Sequence, residues 1–216
     1  MIDFSQFRSI DLTLPYDEQI AGFSSETARD LKKDGWNARW LKIYSHAGTH
    51  IDAPLHFGMD GTIDAFTPSD FMGKAWVIDL TNVSPSELLE VRHLENLADQ
   101  IQAGDSLILK TGWSKYLNNR ELYRNQLPRI SAELAKWMVV RKIKMLGVEP
   151  PSVADVNNLP EVTEIHEILL SGNVIIIEGL TNLDAIRQEQ VFLIALPLKI
   201  KNGDGAPARV IALESK

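Results

Sequence analysis

Eight apolar runs of strand length set the terms on which this chain can fold. They lie near residues 9–14, 39–45, 75–80, 105–110, 143–148, 173–178, 191–197 and 208–213, and several are rich in Val and Ile. Side chains branched at Cβ suit an extended, pleated backbone better than a helix, so these runs read as strands. The longest unbroken one is Val174-Ile175-Ile176-Ile177, with Glu178 directly behind it. A carboxylate at the end of a buried strand is costly unless it pairs or meets a cation. Helical patterns fill three of the gaps: residues 86–100, introduced by Ser84-Pro85-Ser86-Glu87, residues 131–141, and residues 164–171, closed by Gly172. Strands that alternate with helices, though irregularly, indicate an α/β fold with a mixed sheet. A chain of 216 residues, 44% of them hydrophobic, can bury one sizeable core, so residues 1–216 are expected to form a single domain.

Charge and cysteine content remove several functions. Acidic residues number 29 against 22 basic ones, a formal charge of −7, and no basic stripe is present to neutralise a phosphate backbone, which excludes nucleic acid as the expected partner. With no cysteine in the chain, a metal must be held by nitrogen and oxygen, and thiolate catalysis is excluded. The opening MIDFSQFRSI lacks the apolar run of a signal peptide, and no later window approaches a membrane span, so a cytoplasmic enzyme or binding protein with no membrane partner is the expectation. Neither Gly-x-Ser-x-Gly nor a Gly-rich phosphate loop occurs.

Three of the five histidines fall in one short stretch, Ser45-His46-Ala47-Gly48-Thr49-His50-Ile51-Asp52-Ala53-Pro54-Leu55-His56-Phe57. His46, His50, Asp52 and His56 share parity and would face one side of an extended chain. Extension alone does not bring them together. At about 3.3 Å per residue, His46 and His50 would stand roughly 13 Å apart, too far for two nitrogens each about 2.1 Å from one ion. The chain must fold back, and Gly48 is the residue that can take a positive φ or form a bulge there. A helix would also pair His46 with His50, but Gly48, Thr49, Ile51 and Pro54 disfavour it, and the protease signature His-Glu-x-x-His is absent. Pro54 stiffens the path that returns His56 to the site.

This segment resembles the HxGTHxDxPxHF signature of the cyclase-family metal-dependent hydrolases, the group that includes bacterial kynurenine formamidase and isatin hydrolase. The resemblance continues in His166, in Ile177-Glu178-Gly179-Leu180, in Pro197-Leu198-Lys199-Ile200 and in Gly203-Asp204-Gly205-Ala206-Pro207-Ala208-Arg209. It implies a swivelling β/β/α fold assembled as a homodimer or larger homo-oligomer. It further implies His46, His50 and Asp52 as ligands of a first metal, His166 and Glu178 as ligands of a second with Asp52 bridging, and His56 as general acid/base. One or two divalent ions, zinc or manganese, would be bound. Two departures bear on the substrate: the family's Pro-Gly-Asp stretch is replaced by Tyr16-Asp17-Glu18-Gln19-Ile20-Ala21-Gly22-Phe23, and its Gly-x-Asp by Gly147-Val148-Glu149.

The expected chemistry is hydrolysis of an amide or lactam C–N bond in a small molecule such as an aryl formamide or an isatin-like compound. A divalent ion lowers the pKa of bound water from about 15.7 to about 7 and polarises the carbonyl. His56 would then carry the proton from water to the departing nitrogen. Trp36, Trp40, Phe23, Phe66, Trp113 and Tyr116 are candidates for stacking on an aromatic substrate. One other reading keeps the metal but makes the protein a cyclase or dehydratase, and another keeps the fold as a non-catalytic metal or small-molecule binder; His56, surplus to a ligand set, speaks for catalysis. His93 reads as a surface residue, and Asp204-Gly205 as a tight turn anchored by Arg209. Residues 16–37 lack a clean period and read as a long excursion, a lid or a subunit contact.

Overall fold

Period-two alternation decides the architecture. In the computed structural model, which describes residues 3–216, successive residues of the central strands feed two separate apolar clusters. The strands are β1 (Phe7–Asp11), β2 (Phe23–Arg29), β3 (Ala38–Ile43), β4 (His50–Asp52), β5 (Met72–Asp79), β6 (Leu88–Leu89), β7 (Ser106–Lys110), β8 (Arg129–Ile130), β9 (Met145–Val148), β10 (Ile175–Glu178), β11 (Gln190–Pro197) and β12 (Gly205–Ser215). The α-helices are α1 (Leu31–Asp34), α2 (Arg120–Asn125), α3 (Ala132–Val140) and α4 (Leu159–Ser171). Seven strands close into a mixed barrel in the order β12-β11-β5-β7-β9-β10-β4, with β4 returning to β12. The run β5-β7-β9-β10 is parallel and the remaining pairings of the ring are antiparallel.

Closure depends on the length of β12. Its first residues, Gly205 to Pro207, pair with β4, and its last, Ile211 to Ser215, pair with β1, while β11 occupies the opposite edge. Side chains pointing into the ring are small or branched: Ile51, Ala75, Val77, Ile108, Ile177, Ala195, Ala206, Val210 and Ala212 all belong to one buried cluster. Such residues fill a narrow barrel, so its interior is core and not a channel. Their neighbours Trp76, Ile78, Leu107, Leu109, Leu146, Val148 and Ile176 point outward and are covered by α3 and α4. By the same alternation, His50, Asp52 and Glu178 leave the barrel on the outer face.

Several elements match the sequence reading. The helix expected at 131–141 is α3, with the Ser131 hydroxyl accepting from the Leu134 amide at 3.0 Å. The helix expected at 164–171 is the second part of α4, which begins earlier because the Asn158 side chain caps it and Pro160 suits its first turn. The helix expected at 86–100 does not form. Ser86 and Glu95 take φ of +59° and +47°, and Leu88-Leu89 instead form β6 beside β8, followed by a 3-10 segment at Val91–Leu97. Tertiary pairing of two leucines overrides the local period there. Residues 16–37 are also more ordered than their pattern suggested, because β2 pairs with β3 in a separate hairpin. His93 is partly buried and not a surface residue: its Nδ1 accepts from the Glu90 amide at 2.9 Å and caps that 3-10 segment. Arg209 pairs with Asp11 of β1 at 2.6 and 3.0 Å, so it ties β12 to β1 and not to the turn at Asp204. Among the described residues, no helix is long and apolar enough to cross a membrane.

One close approach of backbone holds β4 in the ring. Gly179 has φ +68°, and a Cβ placed on it would lie 2.3 Å from the Gly48 carbonyl oxygen. The Thr49 hydroxyl donates to the Gly179 carbonyl at 2.6 Å and accepts from the Leu14 amide at 2.8 Å. Gly179→Ala therefore combines left-handed strain of about 1–2 kcal/mol with a backbone clash. It should lower the unfolding free energy by more than about 2 kcal/mol in urea titration; an unchanged midpoint would show that the two loops separate freely.

Candidate metal centre

Register places the first residues. In β4, His50 lies opposite Glu178 of β10, and Asp52 lies opposite Ile176 on one side and Gly205 on the other. Directly opposed residues of antiparallel strands share a face, so His50, Asp52 and Glu178 rise together from the barrel wall. Above them, α4 presents His166. The Nδ1 of His50 donates to the Gly48 carbonyl at 2.9 Å, and that of His166 to the Val162 carbonyl at 2.7 Å. Each ring is thereby fixed with Nε2 toward the carboxylates: His50 Nε2 is 3.3 Å from Glu178 and 3.6 Å from Asp52, and His166 Nε2 is 3.5 Å from Glu178 and 3.6 Å from Asp52. Glu178 also accepts from the Val153 amide at 2.8 Å.

His46 arrives from the other side of the turn. Gly48 has φ +63°, and the His46 and His50 ring centroids are 5.2 Å apart, so the chain does fold back at this glycine. One nitrogen of His46 lies 2.8 Å from Asp52 and the other 2.9 Å from Asp204. His56, in the 3-10 turn Pro54–Phe57, stacks on His46 at 3.8 Å between centroids and stands 3.9 Å from Asp204. All six residues singled out in the sequence thus converge. The tightest groups are His50 with Asp52 and Glu178, and His46 with Asp52 and His56; within each group the ligand atoms lie within 4.8 Å of one another. Asp52 belongs to both, whereas the resemblance grouped His46 with His50.

The electrostatics call for a cation. Asp52 and Glu178 are both buried, and among the described residues Asp52 Oδ2 has no hydrogen-bond partner, the nearest imidazole nitrogen, His166 Nε2, standing 3.6 Å away. A dehydrated carboxylate oxygen that accepts no hydrogen bond costs on the order of several kcal/mol unless a cation compensates it. Imidazole nitrogens freed by backbone hydrogen bonds and facing carboxylates form a nitrogen–oxygen donor set suited to a divalent ion. Burial pushes the His50 and His166 pKa values down, but Glu178 and Asp52 outweigh it and hold both above the ordinary histidine value. His46 is raised in the same way by Asp52 and Asp204 against burial. Burial pushes Asp52 up, yet the His46 hydrogen bond and the neighbouring imidazoles keep its carboxyl well below the usual range. His56 differs: burial dominates and lowers it.

Apart from Asp52, which lies beneath it, the cluster forms the floor of a cavity of about 690 Å³ whose walls include Leu14, Ile20, Leu117, Val156, Leu159 and Val162. None of the six aromatic residues singled out in the sequence lines it. Trp36 and Trp40 sit on the β2–β3 hairpin at 58% and 68% exposure, Trp113 is core with its indole bonded to the Tyr123 carbonyl, and Phe23, Phe66 and Tyr116 pack on Tyr16, Phe71 and Trp113. Tyr44 and Tyr123 line it instead. Two further residues emerge only in three dimensions. Asp204, read as a turn, supports His46. Glu149 is buried and accepts from the Thr111 and Trp113 amides and the Thr111 and Ser114 hydroxyls at 2.8–3.2 Å, pinning the loop that brings Ser114 to the cavity. The only sequence signal for either was its place in a segment that resembles, or departs from, a family pattern.

Known proteins share both the sequence pattern and the barrel. Residues 10–155 match the family model described as putative cyclase. A kynurenine formamidase from Bacillus cereus is 30% identical over 211 residues, covering 94% of this chain and 95% of that protein. Isatin hydrolase A from Ralstonia solanacearum superposes with a TM-score of 0.88 at 26% identity, over 97% of this chain and 92% of that one. Isatin hydrolase A from Labrenzia aggregata, bound to benzyl benzoate, gives a TM-score of 0.87 at 26% identity, over 98% and 95%.

The arrangement fixes the order of histidine titration in the metal-free protein. His46, His50 and His166 should titrate above about 6.5, the ordinary value, and His56 below it. Imidazole NMR against pH reads this directly. Asp52→Asn should lower the first three midpoints, and four indistinguishable midpoints would contradict the cluster's geometry.

Proposed function

Because the chain belongs to the cyclase family and is related at about 30% identity to kynurenine formamidase, with the fold of isatin hydrolase, we propose that it is a metal-dependent hydrolase of an amide or lactam C–N bond. The observation that carries this reading is Asp52, buried with an oxygen that accepts no hydrogen bond from any described residue, between imidazoles whose Nδ1 atoms are tied to backbone carbonyls. His46, His50 and Asp52 would hold one ion and His166 and Glu178 a second, with Asp52 shared; zinc and manganese both suit these donors. A divalent ion there supplies a Lewis acid and acidifies water. We also read the barrel and its outer helices as a single domain over residues 1–216 in a swivelling β/β/α arrangement.

His56 is the residue proposed to move the proton. It lines the cavity floor, and its lowered pKa leaves the ring neutral near physiological pH and able to accept. Stacking on His46 and the nearby Asp204 carboxylate fix its plane. When water adds to the carbonyl, His56 takes the proton that water loses and returns it to the nitrogen as the C–N bond breaks. Asp204 orients His46 through its second nitrogen, as carboxylates do for metal-ligating histidines. The apolar walls, with Tyr44 and Tyr123, would receive an aryl formamide or isatin-like ring, in keeping with the benzyl benzoate found in a relative.

The test begins with the metal. Protein freed of metal should take up zinc or manganese with release of protons, because neutral imidazoles are required, and uptake should weaken as pH falls through the raised values of His46, His50 and His166. Calorimetry in buffers of different ionisation enthalpy measures both, and Asp52→Asn should abolish tight uptake. Loaded protein should hydrolyse an aryl formamide or isatin. His56→Ala should keep its metal and lose about 10²- to 10⁴-fold in kcat; undiminished turnover would remove His56 from the mechanism. We read the hairpin that carries the exposed Trp36 and Trp40 as the contact face of a homodimer; on that reading sedimentation should return a multiple of the 24.2 kDa chain mass.

A further inference from the structure

Strand order puts Glu149 beside the cluster. It follows β9, the parallel neighbour of β10, and the residues on either side of it are bonded to the segment after Glu178: the Leu180 amide donates to the Val148 carbonyl and the Gly179 amide to the Pro150 carbonyl, both at 2.9 Å. Two hydroxyls of the cavity lining are tied to this residue. Ser114 Oγ donates to the Glu149 carboxylate at 2.8 Å, and Tyr123 Oη donates to the Glu149 main-chain carbonyl at 2.7 Å. A carboxylate and a carbonyl can only accept, so both hydroxyl protons are committed. Tyr123 also keeps its proton, because burial, helped by the charges of Glu149 and Glu178, pushes its pKa up. Each oxygen has lone pairs to spare and its proton engaged elsewhere, so these two hydroxyls offer a ligand acceptors alone.

Resting on the hydrolase reading above, we propose that Tyr123, with Ser114 beside it, receives the N–H of the amide or lactam that is cleaved, so that the protein selects substrates with a hydrogen on that nitrogen over N-alkylated ones. The spacing suits this role. Neighbouring strands lie about 4.8 Å apart. An amide nitrogen about 1.3 Å from the scissile carbon, followed by an N–H···O bond of about 2.9 Å, spans about 4.2 Å. A carbonyl seated over Glu178 therefore brings its own N–H within reach of the wall at the end of the next strand. The direction suits it too: β10 stands between β9, which leads to Glu149, and β4, which leads to His56. Holding the N–H on the Glu149 side leaves the nitrogen lone pair, as the C–N bond lengthens, open toward the side from which His56 returns the proton. Tyr123 and Ser114 are the specificity-determining acceptors, and Glu149 is the positioning residue that keeps both of their protons turned away from the ligand.

Isatin and N-methylisatin form one pair of probes, formanilide and N-methylformanilide another; within each pair N–H is replaced by N–CH3. For whichever pair the metal-loaded protein turns over, kcat/KM should be higher for the N–H member. Tyr123→Phe should cut the ratio of N–H to N-methyl compound about three- to tenfold, the span of one neutral hydrogen bond. Glu149→Gln should lower the same ratio, because a glutamine amide donates to Ser114 and turns its hydroxyl proton toward the ligand. The ratio is independent of how much of a variant folds, since inactive protein scales both substrates alike; if Tyr123→Phe yields no soluble protein, Ser114→Ala is read in its place. Equal kcat/KM within a pair, or a ratio unmoved by these substitutions, overturns the proposal. If none of the four compounds is hydrolysed, the hydrolase reading fails separately. Equilibrium binding of the same pairs then decides the role of the wall, with tighter binding of the N–H members that Tyr123→Phe abolishes in support and equal binding against.

Discussion

The insertion of a three-residue strand between β10 and β12 is the constraint on which this molecule turns. β4 is too short to persist alone, yet Ile51 enters the barrel core between Ile177 and Ala206, and the ladders on both sides hold its backbone. Burying one isoleucine contributes about 1.5–3 kcal/mol. That inward anchor forces His50 and Asp52 outward, and the register sets Glu178 opposite His50. Geometry that would be strained in a loop is therefore imposed by a sheet.

The cluster's donors are set in place by the fold itself. Backbone carbonyls of Gly48 and Val162 each take an Nδ1 proton, so the two Nε2 atoms face the same carboxylates without a search through ring orientations. Asp204 does comparable service for His46 from the far end of the chain. The cost is a pair of buried carboxylates, one with an unsatisfied oxygen, held among imidazoles that share their charge. A site of this kind exchanges local stability for readiness to bind.

Much of this was legible in the residues themselves. Val174 to Ile177 read as a buried strand because nothing polar interrupts them, and the bend at Gly48 followed from the reach of an extended chain against the length of a metal–nitrogen bond. What stayed hidden has physical reasons. β2 alternates between half-buried and exposed positions, but Ser25 holds one of the half-buried ones and the register shifts between Thr27 and Arg29, so its pairing with β3 left no apolar period. Residues 86–97 carry a helical pattern that loses to the pairing of Leu88-Leu89 with β8. Asp204 stands 158 residues from His46, and only barrel closure makes them neighbours. The aromatic residues misled because ring content says nothing about which rings the core consumes.

The division of labour between wall and floor carries a consequence for how such a protein can diversify. The floor hangs from barrel strands, where a change of register would dismantle the core. Helix α2 contributes no buried residue and the segment around Asp17 to Gly22 is largely exposed, yet both border the opening. Substitutions there can redraw which molecules are admitted while leaving the reactive apparatus and the scaffold untouched, so lineages sharing this barrel can drift apart in diet long before they drift apart in chemistry.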